Sequence, residues 1–245
     1  MKSLPPKVVL FDLDDTLFAH RASVDAGVAA HMLASGGAIA QADPAPELVR
    51  WNELEELHYH RYLSGERSFQ EQRRARAHDF VAPFAELSDD DADSWFEAYL
   101  VEYEKTWKLH DDSLGAMDEL AARIPGVRFG VITNGELSFQ TSKMDGIRLT
   151  DRIEHLIASG EVGVTKPDPQ IFHVAVEKFG VLASEAAYFG DRLRTDAIGA
   201  AEAGLTGVWL NRTGATPTAV DRVAATAAGV LEIVSLAELP ALLAP

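Results

Sequence analysis

The chain has no cysteine among its 245 residues. That excludes disulfides, thiol nucleophiles and thiolate-ligated zinc, and it agrees with a cytoplasmic protein. Basic residues are also scarce. Lys and Arg number 22 against 38 Asp and Glu, a formal net charge of -16. Nucleic acid and anionic membrane bind through basic surface, so neither is expected as a main partner. The same field repels anionic substrates at long range, and a phosphate site would need cations placed locally. No apolar run approaches the length of a membrane span. The segment Met1-Lys2-Ser3-Leu4-Pro5-Pro6-Lys7 lacks an apolar stretch of signal-peptide length, so neither a spanning helix nor a secretory leader is expected.

What is present is an ordinary globular composition, 47% hydrophobic, and enough length for one large domain or a core with an insertion. Apolar, β-branched runs predict strands near 7–12, 127–133, 155–158, 186–190 and 206–210, with a short one near 229–234. Helical patterns separate most of them. Such alternation points to a doubly wound, Rossmann-like α/β core, a parallel sheet with helices on both faces. Helix punctuation agrees: Asp168 as N-cap, Pro169 at the first helical position, and Gly180 and Gly204 as helix ends. The alanine-rich stretch 215–229 reads as a small-residue connection.

Chemistry-bearing residues fall at the ends of the apolar runs. Asp12 and Asp14 follow Val8-Val9-Leu10-Phe11. One residue apart on a strand, they start on the same side. Converging carboxylates persist with a cation or a shared proton, and oxygen-only ligation suits magnesium. Three further polar groups follow other runs: Thr133-Asn134-Gly135, Lys166-Pro167-Asp168-Pro169, and Gly190-Asp191 with Asp196 five residues on. In open α/β sheets ligands collect beyond the carboxyl ends of the strands, where all four groups are expected.

These four segments, in this order, resemble the motifs of the haloacid-dehalogenase-like (HAD) superfamily, and the resemblance covers the core from end to end. The first has the phosphatase form Asp12-x-Asp14-x-Thr16; dehalogenases of that superfamily lack the second aspartate, which argues against carbon–halogen chemistry. The resemblance implies a magnesium-dependent phosphatase acting on a small phosphorylated metabolite, a sugar phosphate or nucleotide. It implies Asp12 as nucleophile, and Asp14 as general acid and then base, with its pKa raised by a neighbouring carboxylate. Magnesium would be held by Asp12, Asp191 and the Asp14 carbonyl. Asp196 would be a water-mediated ligand or an orienter, or else a helix-terminal carboxylate favoured by the macrodipole. Thr133, the amides near Asn134 and Gly135, and Lys166 would hold the phosphate.

The interval 18–110 breaks the alternation and predicts helices without strands. Trp51, Leu54, Leu57 and Tyr62 fall near helical spacing, as do Trp95, Phe96, Tyr99, Leu100 and Tyr103. This resembles the helical cap of one HAD subclass, so the expected division is a core of 1–17 with 111–245 and a cap of 18–110. His20, Arg21 and Arg73 are the substrate candidates there, with Arg74 and Arg76 beside them on a basic helix. His58 and His60, two apart, would point away from each other on a helix and make a poor zinc pair. Ser88-Asp89-Asp90-Asp91 reads as a helix start with acid at the positive dipole end. A phosphomutase or phosphonate-type relative remains an alternative, as does a phosphate-binding module without catalysis on the same fold. A receiver domain also clusters aspartates with threonine and lysine, but length and the helical insertion disfavour it. Oligomeric state is not legible.

Overall fold

The computed structural model describes residues 5–243. In chain order, β1 is Val8–Phe11, followed by helices α1 His20–Ser35, α2 Pro44–Leu63, α3 Phe69–Val81 and α4 Asp89–Glu104. Then come α5 Ser113–Arg123, β2 Arg128–Thr133, α6 Leu137–Gly146, β3 His155–Ala158, α7 Ser159–Val162 and α8 Pro169–Phe179. The chain continues with β4 Ala186–Gly190, α9 Gly199–Glu202, β5 Thr206–Leu210, α10 Ala219–Ala228, β6 Leu231–Ile233 and α11 Leu239–Leu243. Two compact units result. One holds the chain up to Ala19 and again from Lys108; the other is His20–Trp107. Among the described residues no helix is long and apolar enough to cross a membrane.

The first unit is a single parallel sheet in the order β3-β2-β1-β4-β5-β6. β1 lies between β2 and β4, with Phe11 opposite Val131 on one side and Phe189 on the other. The strand order therefore reverses at β1, and β1 is buried along its whole length. Two-sided burial explains its unbroken apolar run. α8 packs Ile171, Phe172, Ala175 and Phe179 into the core with Val8, Leu10, Ile132 and Tyr188. Its ends follow the sequence signals: Asp168 accepts from the Gln170 amide at 2.8 Å, and Gly180 closes it at φ +64°. Gly204, at φ +91°, donates its amide to Ala201 just after α9.

One expectation is corrected here. The alanine-rich stretch is no mere connection, because residues 219–228 form α10, opened by Thr218 and closed by Gly229 at φ +71°. Alanine has the highest helix propensity, and a cap at each end is enough to define the element.

The second unit is all helical, as its sequence predicts. Trp51 is its centre, fully buried, with ring centroids 4.9 Å from Phe80 and 4.7 Å from Tyr99. Phe96, Tyr99 and Tyr103 line the inner face of α4. Leu57 departs from its expected place and is 45% exposed; His58 is buried in its stead. Its Nε2 lies 2.8 Å from Asp79 and its Nδ1 3.3 Å from Arg67, which satisfies the buried ring. His60 stands 3.4 Å from Glu56. Ser88 and Asp91 form a capping box at the start of α4, the acid sitting at the positive end of the dipole.

Candidate active site

The sheet brings the motif residues to its carboxyl edge. Asp12 follows β1 and donates its amide to the Phe189 carbonyl at 2.7 Å, which carries it one residue beyond the strand. Asp191 follows β4 next door, and Thr133, 1% exposed, ends β2 on the other side. This is the point where strand order reverses and a crevice opens in such sheets.

Lys166 organises the centre. Its Nζ donates to Asp12 Oδ1 at 2.5 Å, to Asp196 Oδ1 at 2.8 Å and to the Tyr188 hydroxyl at 2.8 Å. Three partners use all three donors of an ammonium. Its backbone is fixed as well, since Asn134 Oδ1 accepts from the Lys166 amide at 2.8 Å and Asn134 Nδ2 donates to the Lys166 carbonyl at 3.1 Å. Asp196 sits in a π-helical turn, Leu193–Ile198, and is 1% exposed. That turn swings its carboxylate inward, where Oδ2 also accepts from the Arg192 amide at 2.9 Å. Gly190 makes the room: a Cβ there would lie 2.3 Å from Asp196 Cγ.

Asp12, Asp191 and Asp196 each offer an oxygen within 4.8 Å of the others. Burial pushes the Asp12 carboxyl up to about 7; Lys166 opposes the rise, while Asp196 and Asp14 add to it. Burial, then Asp196 and Asp12, drives Asp191 well above the usual carboxylate range. Burial works against the charge of Lys166, but Asp12 and Asp196 outweigh it and raise its pKa. Lys166 thus pairs with two of the three carboxylates, and burial together with their mutual repulsion raises Asp12 and Asp191 for want of further positive charge. A hard divalent cation would supply that charge, and an all-oxygen donor set suits magnesium. The residues fit the ion.

Asp14 is not one of these three carboxylates, although its charge acts on Asp12. Beside the carboxylate neighbour expected from the sequence, Asp14 also has a cation, with Lys143 Nζ 2.6 Å from its Oδ1. Gln140 Nε2 donates to its Oδ2 at 3.4 Å. The Gly135 amide, expected at a phosphate, donates to Ser159 Oγ at 2.9 Å. Gly135 is required sterically, since a Cβ there would meet Gln140 Nε2 at 2.8 Å. Lys143, Gln140, Tyr188 and Ser159 were not found from the sequence. The spacing Gln140-x-x-Lys143 after Thr133-Asn134-Gly135 was the available signal for two of them.

Of the candidates in the helical unit, His20 and Arg21 converge on Glu55 with Arg76. Arg76 Nη1 is 2.5 Å from Glu55 Oε1, while His20 Nε2 and Arg21 Nη1 are each 3.5 Å from Oε2. Burial alone would raise Glu55, but Arg76, then His20 and Arg21, hold it well below its usual range. His20 Nδ1 also lies 3.0 Å from the Tyr103 hydroxyl. Arg73 sits elsewhere, its guanidinium 4.0 Å from the Phe69 ring centroid. Arg74 pairs with Asp93 at 2.5 Å on the surface.

The family model for haloacid dehalogenase-like hydrolases matches residues 6–204, and the chain belongs to that family. Among curated proteins it is 31% identical to glyceraldehyde 3-phosphate phosphatase of Pyrococcus abyssi over 83% of this chain and 80% of that one. It is 41% identical to phosphoserine phosphatase of Thermus thermophilus, but over only 37% of this chain and 36% of that protein. Its fold is shared with the magnesium-bound HAD-hydrolase YfnB of Bacillus subtilis, at a TM-score of 0.78 and 18% identity over 98% of this chain and 99% of the other.

Proposed function

We propose that the protein is a magnesium-dependent phosphatase that hydrolyses a small phosphorylated metabolite through a phosphoryl group carried on Asp12. The observation that carries this reading is the bridge of Lys166 between Asp12 and Asp196 beside Asp191 at the strand-order reversal. Relatives that act on glyceraldehyde 3-phosphate and phosphoserine support a small phosphate monoester as substrate.

Phosphate ester hydrolysis is slow because the nucleophile and the phosphate are both anionic, so positioning and charge compensation do most of the work. Asp12 and Asp191, with the Asp14 carbonyl, would hold the ion, whose charge offsets that repulsion and polarises a phosphoryl oxygen. An Asp12 oxygen attacks phosphorus; the P–O bond to the leaving group breaks, and Asp14 gives that oxygen a proton. Water then attacks the phosphorus, Asp14 takes a proton from it, and the Asp12–phosphorus bond breaks. Lys166 steadies the Asp12 carboxylate and the phosphate oxygens. Asp196 has both its oxygens in hydrogen bonds, which supports the orienting role over direct ligation. Thr133, Asn134 and Gly135 complete the phosphate side of the pocket, with Gly135 acting through its lack of a side chain. The helical unit, 18–110 by sequence, is proposed as a cap that selects the substrate, with His20 and Arg21 ahead of Arg73. We assign the enzyme to the cytoplasm.

The test is a panel of phosphorylated metabolites incubated with purified protein and magnesium, with mass spectrometry of the quenched protein. Phosphate release from one or more substrates, with one phosphoryl group trapped on Asp12, is expected. Failure to release phosphate from any of them, or release without need of Asp12, overturns the reading.

A further inference from the structure

Helix α6 carries Gln140 and Lys143 three residues apart, on one face. Both are buried, at 4% and 2% exposure, and both reach the same carboxylate. Lys143 Nζ is 2.6 Å from Asp14 Oδ1, and Gln140 Nε2 is 3.4 Å from Oδ2. The ammonium lies 4.9 Å from the Phe18 ring centroid and 5.3 Å from that of Phe139. A buried lysine is expensive to keep and is rarely found without a dedicated partner. The chemistry above assigns it nothing.

The two aspartates of the first motif therefore have separate cations: Lys166 for Asp12 at 2.5 Å and Lys143 for Asp14 at 2.6 Å. The separation matters because two carboxylates so close compete for any positive charge between them. A carboxylate drawn into the Asp12 cluster could not face a leaving group. With each of its oxygens held from one rigid helix, Asp14 has no free rotation about its last bond.

We propose that Lys143, assisted by Gln140, is the positioning residue for Asp14, fixing the carboxylate that exchanges the proton with the leaving group. This rests on the phosphatase reading and on the acid role of Asp14 within it. Gly135 belongs to the same device, because its missing Cβ leaves the space that the Gln140 amide occupies.

The experiment compares kcat/KM for phenyl phosphate, a poor leaving group, with p-nitrophenyl phosphate, a good one. This ratio reports the steps through departure of the leaving group and is blind to the later attack of water. Lys143→Met should lower it about 100-fold for phenyl phosphate and less than about tenfold for the nitrophenyl ester, the range expected for a misplaced proton donor. Lys143→Arg should restore most of the loss. Gln140→Met should tilt the two esters the same way, by a smaller factor. Asp14→Asn and the double variant Asp14→Asn, Lys143→Met should agree within about twofold on both esters, since Lys143 then has nothing left to position. The double variant removes both charges of the pair and strands neither, so it decides the matter even if Lys143→Met alone does not fold. Equal losses on both esters, or a further loss when Lys143→Met is added to Asp14→Asn, overturn the proposal. If instead the wild type hydrolyses neither ester, or Asp12→Asn hydrolyses both, the phosphatase reading itself has failed and takes this one with it.

Discussion

The ammonium of Lys166 lies 2.5 Å from the carboxylate of Asp12, with the lysine side chain 3% and the aspartate side chain 9% exposed. At that depth neither charge is stable alone, and Asp196, 1% exposed, shares the same ammonium. Lys166→Met should therefore harm fold and activity together. Removing one partner of a buried pair costs about 3–5 kcal/mol, less where the stranded carboxylates can take up protons. Denaturant titration should show this loss growing from acid toward neutral pH. Turnover of every phosphate ester should fall in parallel, because all bring the same phosphate. A variant with normal stability at neutral pH would mean that the pair is not closed in solution.

Asp12→Asn separates the nucleophile from the scaffold. The amide keeps the size of the carboxyl but cannot carry a phosphoryl group, so turnover should fall by about four orders of magnitude or more. Stability should behave differently. Burial already favours the uncharged form of Asp12, which holds its proton up to about pH 7. The variant without metal should melt at the wild-type temperature or above it near neutral pH. A variant that retains turnover of p-nitrophenyl phosphate contradicts the mechanism.

The raised Asp12 pKa sets the sign of the metal linkage. An acid whose pKa rises from 3.8 to about 7 on folding binds its proton more tightly in the folded state. Without a cation, its contribution to stability therefore falls as pH climbs through that interval. A divalent ion must displace the proton, so its affinity falls as pH drops below about 7. The gain in melting temperature on adding magnesium should be larger at about pH 7.5 than at about pH 5.5. Chelator should abolish activity and magnesium restore it, with calcium inhibiting through its larger, looser coordination. An equal magnesium shift at both pH values would remove Asp12 from the metal site.

Much of this was legible in the chain. The unbroken apolar run before Asp12 announced a strand buried on both faces, and the turn-forming residues after Val131-Ile132 and Phe189 marked where other strands stop. Those features are local, and local features survive without knowledge of tertiary contacts. Lys143 was not legible because its role depends on which face of α6 turns toward Asp14, 129 residues away in sequence. Tyr188 reads as one more apolar strand residue until Lys166 is seen to reach its hydroxyl. The basic helix hid a similar distinction: Arg74 is surface charge, whereas Arg76 neutralises buried Glu55. Alanine-rich 219–228 misled for the opposite reason, since its apolar residues Val220 and Val223 stay 70% exposed and the helix buries no residue that would reveal its period.

Two glycines should respond in opposite directions to the same added methyl group. At Gly190 a Cβ would lie 2.3 Å from Asp196 Cγ and 2.4 Å from its Cβ. Asp196 cannot step aside freely, because Lys166, Tyr188 and the Arg192 amide all hold its carboxylate. Gly190→Ala must therefore displace Asp196 or the end of β4, and either shift passes through Lys166 to Asp12. Overpacking of this kind costs about 1–3 kcal/mol, and activity should fall further than the remaining folded fraction explains. Gly115 lies exposed within α5, where an added Cβ meets nothing within 4 Å. Gly115→Ala should stabilise the protein by about 0.5–1 kcal/mol, through helix propensity and the reduced freedom of the unfolded chain, and leave turnover unchanged. Thermal melts and kcat for the two variants, measured side by side, check both signs. If Gly190→Ala melts and turns over like wild type, Asp196 is not packed against β4 in solution, and the orienting role assigned to it fails.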